Sequence, residues 1–116
     1  MQTPCSCIDY ISPSGRAPVR EFMRELSAHD QECVLAGIKA ARCMWPRTDG
    51  ERIKKVEKGL WEVRMHILGG IARVLFTSHG AGIVLLHGLV KKAPRLTERD
   101  KATARARRAD FLSRKE

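Results

Sequence analysis

Residues 60–90 read LWEVRMHILGGIARVLFTSHGAGIVLLHGLV. Three runs rich in apolar and β-branched residues are separated by Gly69-Gly70 and by Ser78-His79-Gly80-Ala81-Gly82. The segment therefore predicts strands over about Leu60 to Leu68, Gly70 to Thr77 and Gly82 to Val90. Connections this short leave no room for a crossover, so the strands are expected to pair antiparallel as a meander. Each strand carries one residue out of keeping with its apolar neighbours: Arg64, Arg73 and His87. Side chains alternate along a strand, so three such residues can share one sheet face and converge on one ligand.

Register tests that convergence, because a correct pairing makes both faces chemically sensible. With Gly69-Gly70 as a two-residue turn, Val63 faces Phe76, Met65 faces Val74 and Ile67 faces Ala72, an apolar face that helices can cover. With Ser78 to Gly82 as a five-residue loop, Val74 faces Leu86 and Phe76 faces Val84, extending that face. The same arithmetic sets Arg73 directly opposite His87 on the reverse face, with His66 also facing Arg73 and Arg64 diagonal to it. Cationic groups so close repel unless an anion compensates, either Glu62 on the same face or a bound phosphate. Arginine suits a phosphate because its planar guanidinium keeps its charge and offers paired donors. The competing reading is a solvated face of a sheet covered on one side only. Leu75, Ile83 and Leu85, expected on that face, argue against it.

Outward from the meander, Ile8 to Ile11 predicts a short strand and Ser12-Pro13-Ser14-Gly15 a turn. Val19, Phe22, Met23 and Leu26 have the spacing of one helix face, which predicts a helix from Pro18 to about Ala28. Asp30 is the expected N-cap of a second helix with a buried stripe of Val34, Leu35, Ile38, Ala41 and Met44, ending near Trp45-Pro46. The two should form an antiparallel hairpin. Ile53 to Glu57 reads as an edge strand, guarded by Lys54, Lys55 and Lys58. Thr97-Glu98-Arg99-Asp100 is a variant capping box that opens a basic terminal helix, with Leu96 and Phe111 anchoring its ends.

The chain has 116 residues, the size of one domain with one modest core. Lys+Arg number 22 against 13 Asp+Glu, a net charge of +9 that gives a positive field suited to a polyanion. No apolar run approaches the roughly 20 residues of a membrane span, and the opening residues lack the pattern of a signal peptide. A soluble, cytoplasmic protein without a membrane partner is expected. Cys5-x-Cys7 lacks zinc-knuckle spacing, so all four cysteines are expected to be free, with Cys33 and Cys43 as small core residues of the second helix and no metal or cofactor bound.

The segments Lys54 to Arg64, Arg73 to Phe76 and Ile83 to Lys92, together with the basic helix Ala104 to Leu112, resemble the phage-derived HigB-like branch of the RelE/ParE toxin superfamily. The resemblance covers about residues 18 to 113 and rests on "GLWEVR" and "LLHGLVKK" in that order. It implies a compact α+β, RelE-like toxin domain over residues 1–116, with an N-terminal helical hairpin packed on an antiparallel sheet and a basic C-terminal helix. It also implies the toxin of a type II toxin-antitoxin system, a ribosome-dependent mRNA endoribonuclease that cleaves without a metal. The implied partners are the ribosome, mRNA and a cognate antitoxin, expected to be a small helix-turn-helix protein. Carried over by motif, Arg64 and Arg73 are the phosphate stabilisers, with His87, Lys91 and Lys92 sharing the acid, base and electrostatic roles. Lys54, Lys55, Lys58, His66, Arg95, Arg99, Arg105 and Arg108 are the expected RNA-binding residues. The family commonly has Tyr where Ala72 stands and Phe where Leu89 stands. Leu89 shares the face of His87, so its change removes an aromatic platform for a base. Two alternatives remain, a non-cleaving basic module that binds RNA or protein and a ParE-like gyrase inhibitor. In the first reading, Arg73→Ala is expected to abolish growth arrest while the protein stays folded.

Overall fold

The computed structural model describes residues 4–91 and 95–114. The elements are β1 (Cys7–Asp9), α1 (Pro18–Arg24), α2 (Ala28–Met44), β2 (Ile53–Glu57), β3 (Leu60–Ile67), β4 (Gly70–His79), β5 (Gly82–Lys91) and α3 (Glu98–Arg114). They form one five-stranded sheet in the order β1-β5-β4-β3-β2. Strands β3 to β5 are the expected antiparallel meander, and the edge strand β2 extends it by pairing antiparallel with β3. The sheet as a whole corrects the expectation of an antiparallel one, because β1 runs parallel to β5 and makes it mixed. Short-connection reasoning covers only consecutive strands. Between β1 and β5 lies most of the chain, ample for the return that a parallel pair needs.

The helical pair departs from expectation at its junction. Ser27, and not Asp30, caps α2, its hydroxyl accepting a hydrogen bond from the Asp30 amide at 3.1 Å. The helix therefore begins earlier, α1 is a short seven-residue helix, and Asp30 turns inward. Its Oδ1 accepts the Leu68 amide at 2.9 Å, tying the start of α2 to the β3–β4 turn. Val34, Ile38 and Ala41 are buried as expected, but Leu35 is 48% exposed. Cys33 is half-buried and Cys43 exposed, so neither is the core residue expected. Burial pushes the Cys7 thiol up to about 11.

Two cores lie on opposite sides of the sheet. On one side α1 packs on β5 and α2 on β3, over Val63, Met65, Ala72, Val74, Phe76, Ile83 and Leu85. Trp45, Trp61 and Phe76 close this core, with the Trp45 ring edge-on to both others at 5.0 and 5.2 Å. On the other side α3 covers Leu60, Leu75, Val84, Leu86 and Leu89 through Ala104 and Phe111. Leu96 and Phe111 anchor α3 as expected. Close approach on the first side requires glycine. A Cβ on Gly88 would come within 2.3 Å of the Phe22 ring. Gly88→Ala is expected to cost about 1–3 kcal/mol by overpacking, read as a lower urea midpoint with unchanged m-value.

Register differs from the sequence arithmetic in two ways. The β3–β4 turn is Leu68-Gly69, with Ile67 opposite Gly70, which slides the pairing by two residues and leaves the faces intact. The β4–β5 turn is tighter than a five-residue loop, with His79 opposite Gly82, and a bulge falls between Leu75 and Phe76. That bulge places Leu86 as an extra residue on β5 and reverses the parity on one side of it. Ile83 and Leu85 therefore join the α1–α2 core, and Val84 and Leu86 the α3 core, the opposite of the expectation.

Side chains along the whole of α3 tie it to the sheet. Arg105 makes paired hydrogen bonds to Glu57 at 2.7 and 3.0 Å, and the Tyr10 hydroxyl donates to Asp110 at 2.6 Å. Both carboxyls are held below their ordinary values, Glu57 chiefly by the bonds from Arg105 and Asp110 chiefly by that from Tyr10. A depressed carboxyl stabilises the fold above its unfolded pKa, about 4, and stops doing so as pH falls through the folded value. Acidification below about pH 4 is accordingly expected to loosen α3 first. NMR resonances of the Tyr10 ring should move in that range, and an unchanged ring environment would contradict the coupling.

Candidate phosphate-binding site

Arg64 and Arg73 face each other directly across β3 and β4, one step closer than the expected diagonal. The correction for His87 runs the other way. Arg73 is opposite Leu89, and His87 is opposite Leu75, so Arg73 and His87 are diagonal neighbours and not direct partners. His66 lies opposite Ile71, so it is diagonal to Arg73 and not its direct partner, and it is exposed.

Glu62 sits between the arginines. Its Oε1 is 4.0 Å from Arg64 Nε and its Oε2 is 3.9 Å from Arg73 Nη1. Arg73 is 2% exposed and Glu62 4%, because α3 closes over this face. The reverse face is therefore not the solvated surface of a sheet covered on one side. Glu62 is the compensating anion that the sequence offered, yet both separations exceed hydrogen-bond length. Glu62 Oε2 and Arg64 Nε are buried without a hydrogen-bond partner among the described residues. Buried polar groups are seldom left so, and an arginine Nε in this state is a donor available to an oxyanion.

Beside Arg73 opens a cavity of about 170 Å3, lined by Lys54, Lys55, Val56, Glu62, Arg73, Arg95, Leu96 and Lys101. Five of these side chains are cationic and one is a carboxylate, a composition suited to a phosphate-rich ligand. Lys54 and Lys55 come from the edge strand β2, Arg73 from the sheet, and Lys101 from the first turns of α3. Arg64 lines a second opening of about 390 Å3 with Gly50, Glu51, Arg52, Met65, His66 and Ile71. The Arg64–Glu62–Arg73 row is thus the shared wall of two openings.

His87 is committed to α3. Its Nε2 is 3.0 Å from Asp100 Oδ1, and its Nδ1 is 3.2 Å from Arg107 Nη1. A guanidinium only donates and a carboxylate only accepts, so both bonds are made at once by the imidazole with its proton on Nε2. Arg107 also donates to the Leu86 carbonyl at 2.9 Å, and burial lowers its pKa. Lys91 ends β5 opposite Ile71, while Lys92 lies outside the described residues. Among the expected RNA contacts, Lys58 and Arg99 are exposed. Arg105 is occupied by Glu57 and Glu98, and Arg108 donates to the Thr77 hydroxyl at 3.1 Å.

The sequence marks Lys101 and Arg107 only as basic residues of the terminal helix that could track RNA phosphates, and Asp100 only as part of its capping box; their places at the cavity and at His87 come from the structure. Leu96, Ala104 and Phe111 recur every seven or eight residues, a stripe that marks one buried face of α3 and brings Lys101 and Arg107 toward the sheet.

No helix among the described residues is long and apolar enough to cross a membrane. Residues 21–109 match the model of a family described as phage derived protein Gp49-like (DUF891). Neither the curated proteins nor the solved structures yield a match. The matched span runs from α1 into α3 and includes every residue that lines the basic cavity.

Proposed function

Since the chain belongs to the Gp49-like family of phage-derived proteins, a toxin-like family related to RelE/HigB-type toxins, we propose that it is a toxin that cleaves mRNA on the ribosome. A cognate antitoxin, as the family suggests, would hold it in check. The observation that carries the reading is the Arg64–Glu62–Arg73 row, in which Glu62 and Arg73 are buried beside a cavity walled by Lys54, Lys55, Arg95 and Lys101 and Arg64 brings an available Nε donor to the neighbouring opening. In the proposed reaction an RNA 2′-hydroxyl attacks the adjacent phosphorus, the phosphorus–5′-oxygen bond breaks, and a cyclic phosphate and a free 5′-hydroxyl result. Arg64 and Arg73 stabilise the charge gathering on the phosphoryl oxygens. Proton transfer falls to lysines, either Lys54 and Lys55 at the rim of the cavity or the Lys91 and Lys92 of the motif. His87 acts as a positioning residue, bracing α3 against the sheet through Asp100 and Arg107.

Regulated expression of the chain should stop growth, and purified protein with programmed ribosomes should shorten the message. Naked RNA should be bound but cut poorly. Lys54→Ala with Lys55→Ala is expected to weaken RNA binding and to flatten the salt dependence of log Kd by about 1–1.5, measured by fluorescence anisotropy of an RNA oligonucleotide. An unchanged salt slope would remove the β2 lysines from the interface.

One observation favours a second reading, a member that binds RNA without cutting it. Both ring nitrogens of His87 are engaged within the fold, so the imidazole can exchange a proton with substrate only by giving up a contact to α3. Harmless expression together with salt-sensitive RNA binding would establish that reading.

A further inference from the structure

His29, Asp30 and Cys33 open α2 at positions i, i+1 and i+4, and a ligand atom from each lies within 4.8 Å of the others. We propose that these residues form a zinc-binding site, independent of the RNA-cleavage reading. The His29 Nε2 to Cys33 Sγ distance is 3.7 Å. Zinc bonds of about 2.0–2.1 Å to nitrogen and about 2.3 Å to sulfur, set at the tetrahedral angle, put the two ligand atoms about 3.5 Å apart. The pair is thus already close to the geometry that the ion requires.

Asp30 supplies the third ligand and is the least free to move. It is 7% exposed, and its Oδ1 accepts the Leu68 amide at 2.9 Å. Such an outer hydrogen bond orients a ligating carboxylate before the ion arrives. One imidazole, one thiolate and one carboxylate form a mixed nitrogen, sulfur and oxygen set that favours zinc over the hard cations magnesium and calcium. The two anionic ligands balance its charge. His29 is exposed, so an ion has access, and a water completes the fourth position. The positive end of the helix dipole opposes a cation here, at a cost of less than about tenfold in affinity. Because Asp30 also holds the β3–β4 turn, the ion would fasten α2 to that turn on the sheet side opposite α3.

The rival account is a weak hydrogen bond between His29 and Cys33, with no affinity for a metal. Calorimetric titration of the full chain with zinc sulfate, under reducing conditions and without a chelator, separates the two. The expected result is one equivalent bound in the micromolar range and a rise in Tm with zinc. His29→Ala and Cys33→Ser should each weaken binding by at least about tenfold and remove the Tm rise, with far-ultraviolet circular dichroism unchanged. A variant with Cys5, Cys7 and Cys43 all changed to serine should bind as the parent does. Cobalt(II) should give a thiolate charge-transfer band that Cys33→Ser abolishes. Absence of binding at millimolar zinc, absence of the cobalt band, or affinity undiminished in His29→Ala and Cys33→Ser would each overturn the site.

Discussion

Arg64→Ala is expected to reduce ribosome-dependent RNA cleavage by about 10²–10³-fold, the usual consequence of removing one donor from a transition-state oxyanion. The protein should remain folded. Arg64 has a side chain 29% exposed and opens on the larger cavity, so truncation lets water reach Glu62 and does not strand it in a dry core. Its Nε is the available donor, and the substitution therefore removes a group held ready for substrate. Single-turnover cleavage of a synthetic message on programmed ribosomes would measure the effect, with growth arrest on expression as the cellular counterpart. Cleavage within a few-fold of the parent would take Arg64 out of the chemistry. Arg64→Lys restores charge but not the planar fork, and is expected to recover only part of the rate.

Arg73→Ala is expected to lower the unfolding free energy by about 3–5 kcal/mol, the cost of stripping a buried carboxylate of its partner. A small domain has about 5–15 kcal/mol in total, so the variant should be marginal at growth temperature. This changes what Arg73→Ala can report. Read from the sequence it was a clean test of the site, whereas at 2% exposure beneath α3 it is first a test of stability. Loss of toxicity in that variant would say little about catalysis. Arg73→Met combined with Glu62→Leu should recover most of the stability, because an apolar pair of similar volume removes both buried charges. Urea unfolding of the single and double variants would measure this. A single variant as stable as the parent would mean that water reaches Glu62 in the folded protein.

Much of this architecture could be read before any coordinates. The alternation in Leu60 to Val90 marks three strands, the apolar spacing of Val34, Ile38 and Ala41 marks α2, and the lysines of β2 mark an edge. These are local signals, in which periodicity of 2 or 3.6 and turn chemistry speak for the residues that carry them. Arg64 and Arg73 were placed on one face because a two-residue slip in register preserves parity. Ile83 to Leu86 were put on the wrong faces because a bulge does not, whereas His87, beyond the bulge, kept its face and is displaced from Arg73 by two residues. An extra residue on one strand leaves no mark in the alternation of either strand taken alone, and Ile83 to Leu86, apolar throughout, give no polar residue by which to read the parity.

Local signals also say nothing about partners distant in the chain. Parallel pairing of β1 with β5 and Tyr10 bonding to Asp110 depend on how the two ends of the chain meet. The same holds for His87, whose imidazole looked free for acid–base work until Asp100 and Arg107 were seen to occupy it.

By itself the sequence determined the helices, the meander, the positive charge and the pair of strand arginines with Glu62 beside them, since each follows from residue type and spacing along a few turns or strands. Tertiary structure alone decided that α3 closes over those arginines. Whether Arg73 is a solvated cation or a buried one depends on Ala104 and Phe111, some 30 to 40 residues further along the chain, packing on Leu75 and Leu89. Burial is a property of the surfaces that meet, and no window of sequence around Arg73 contains them.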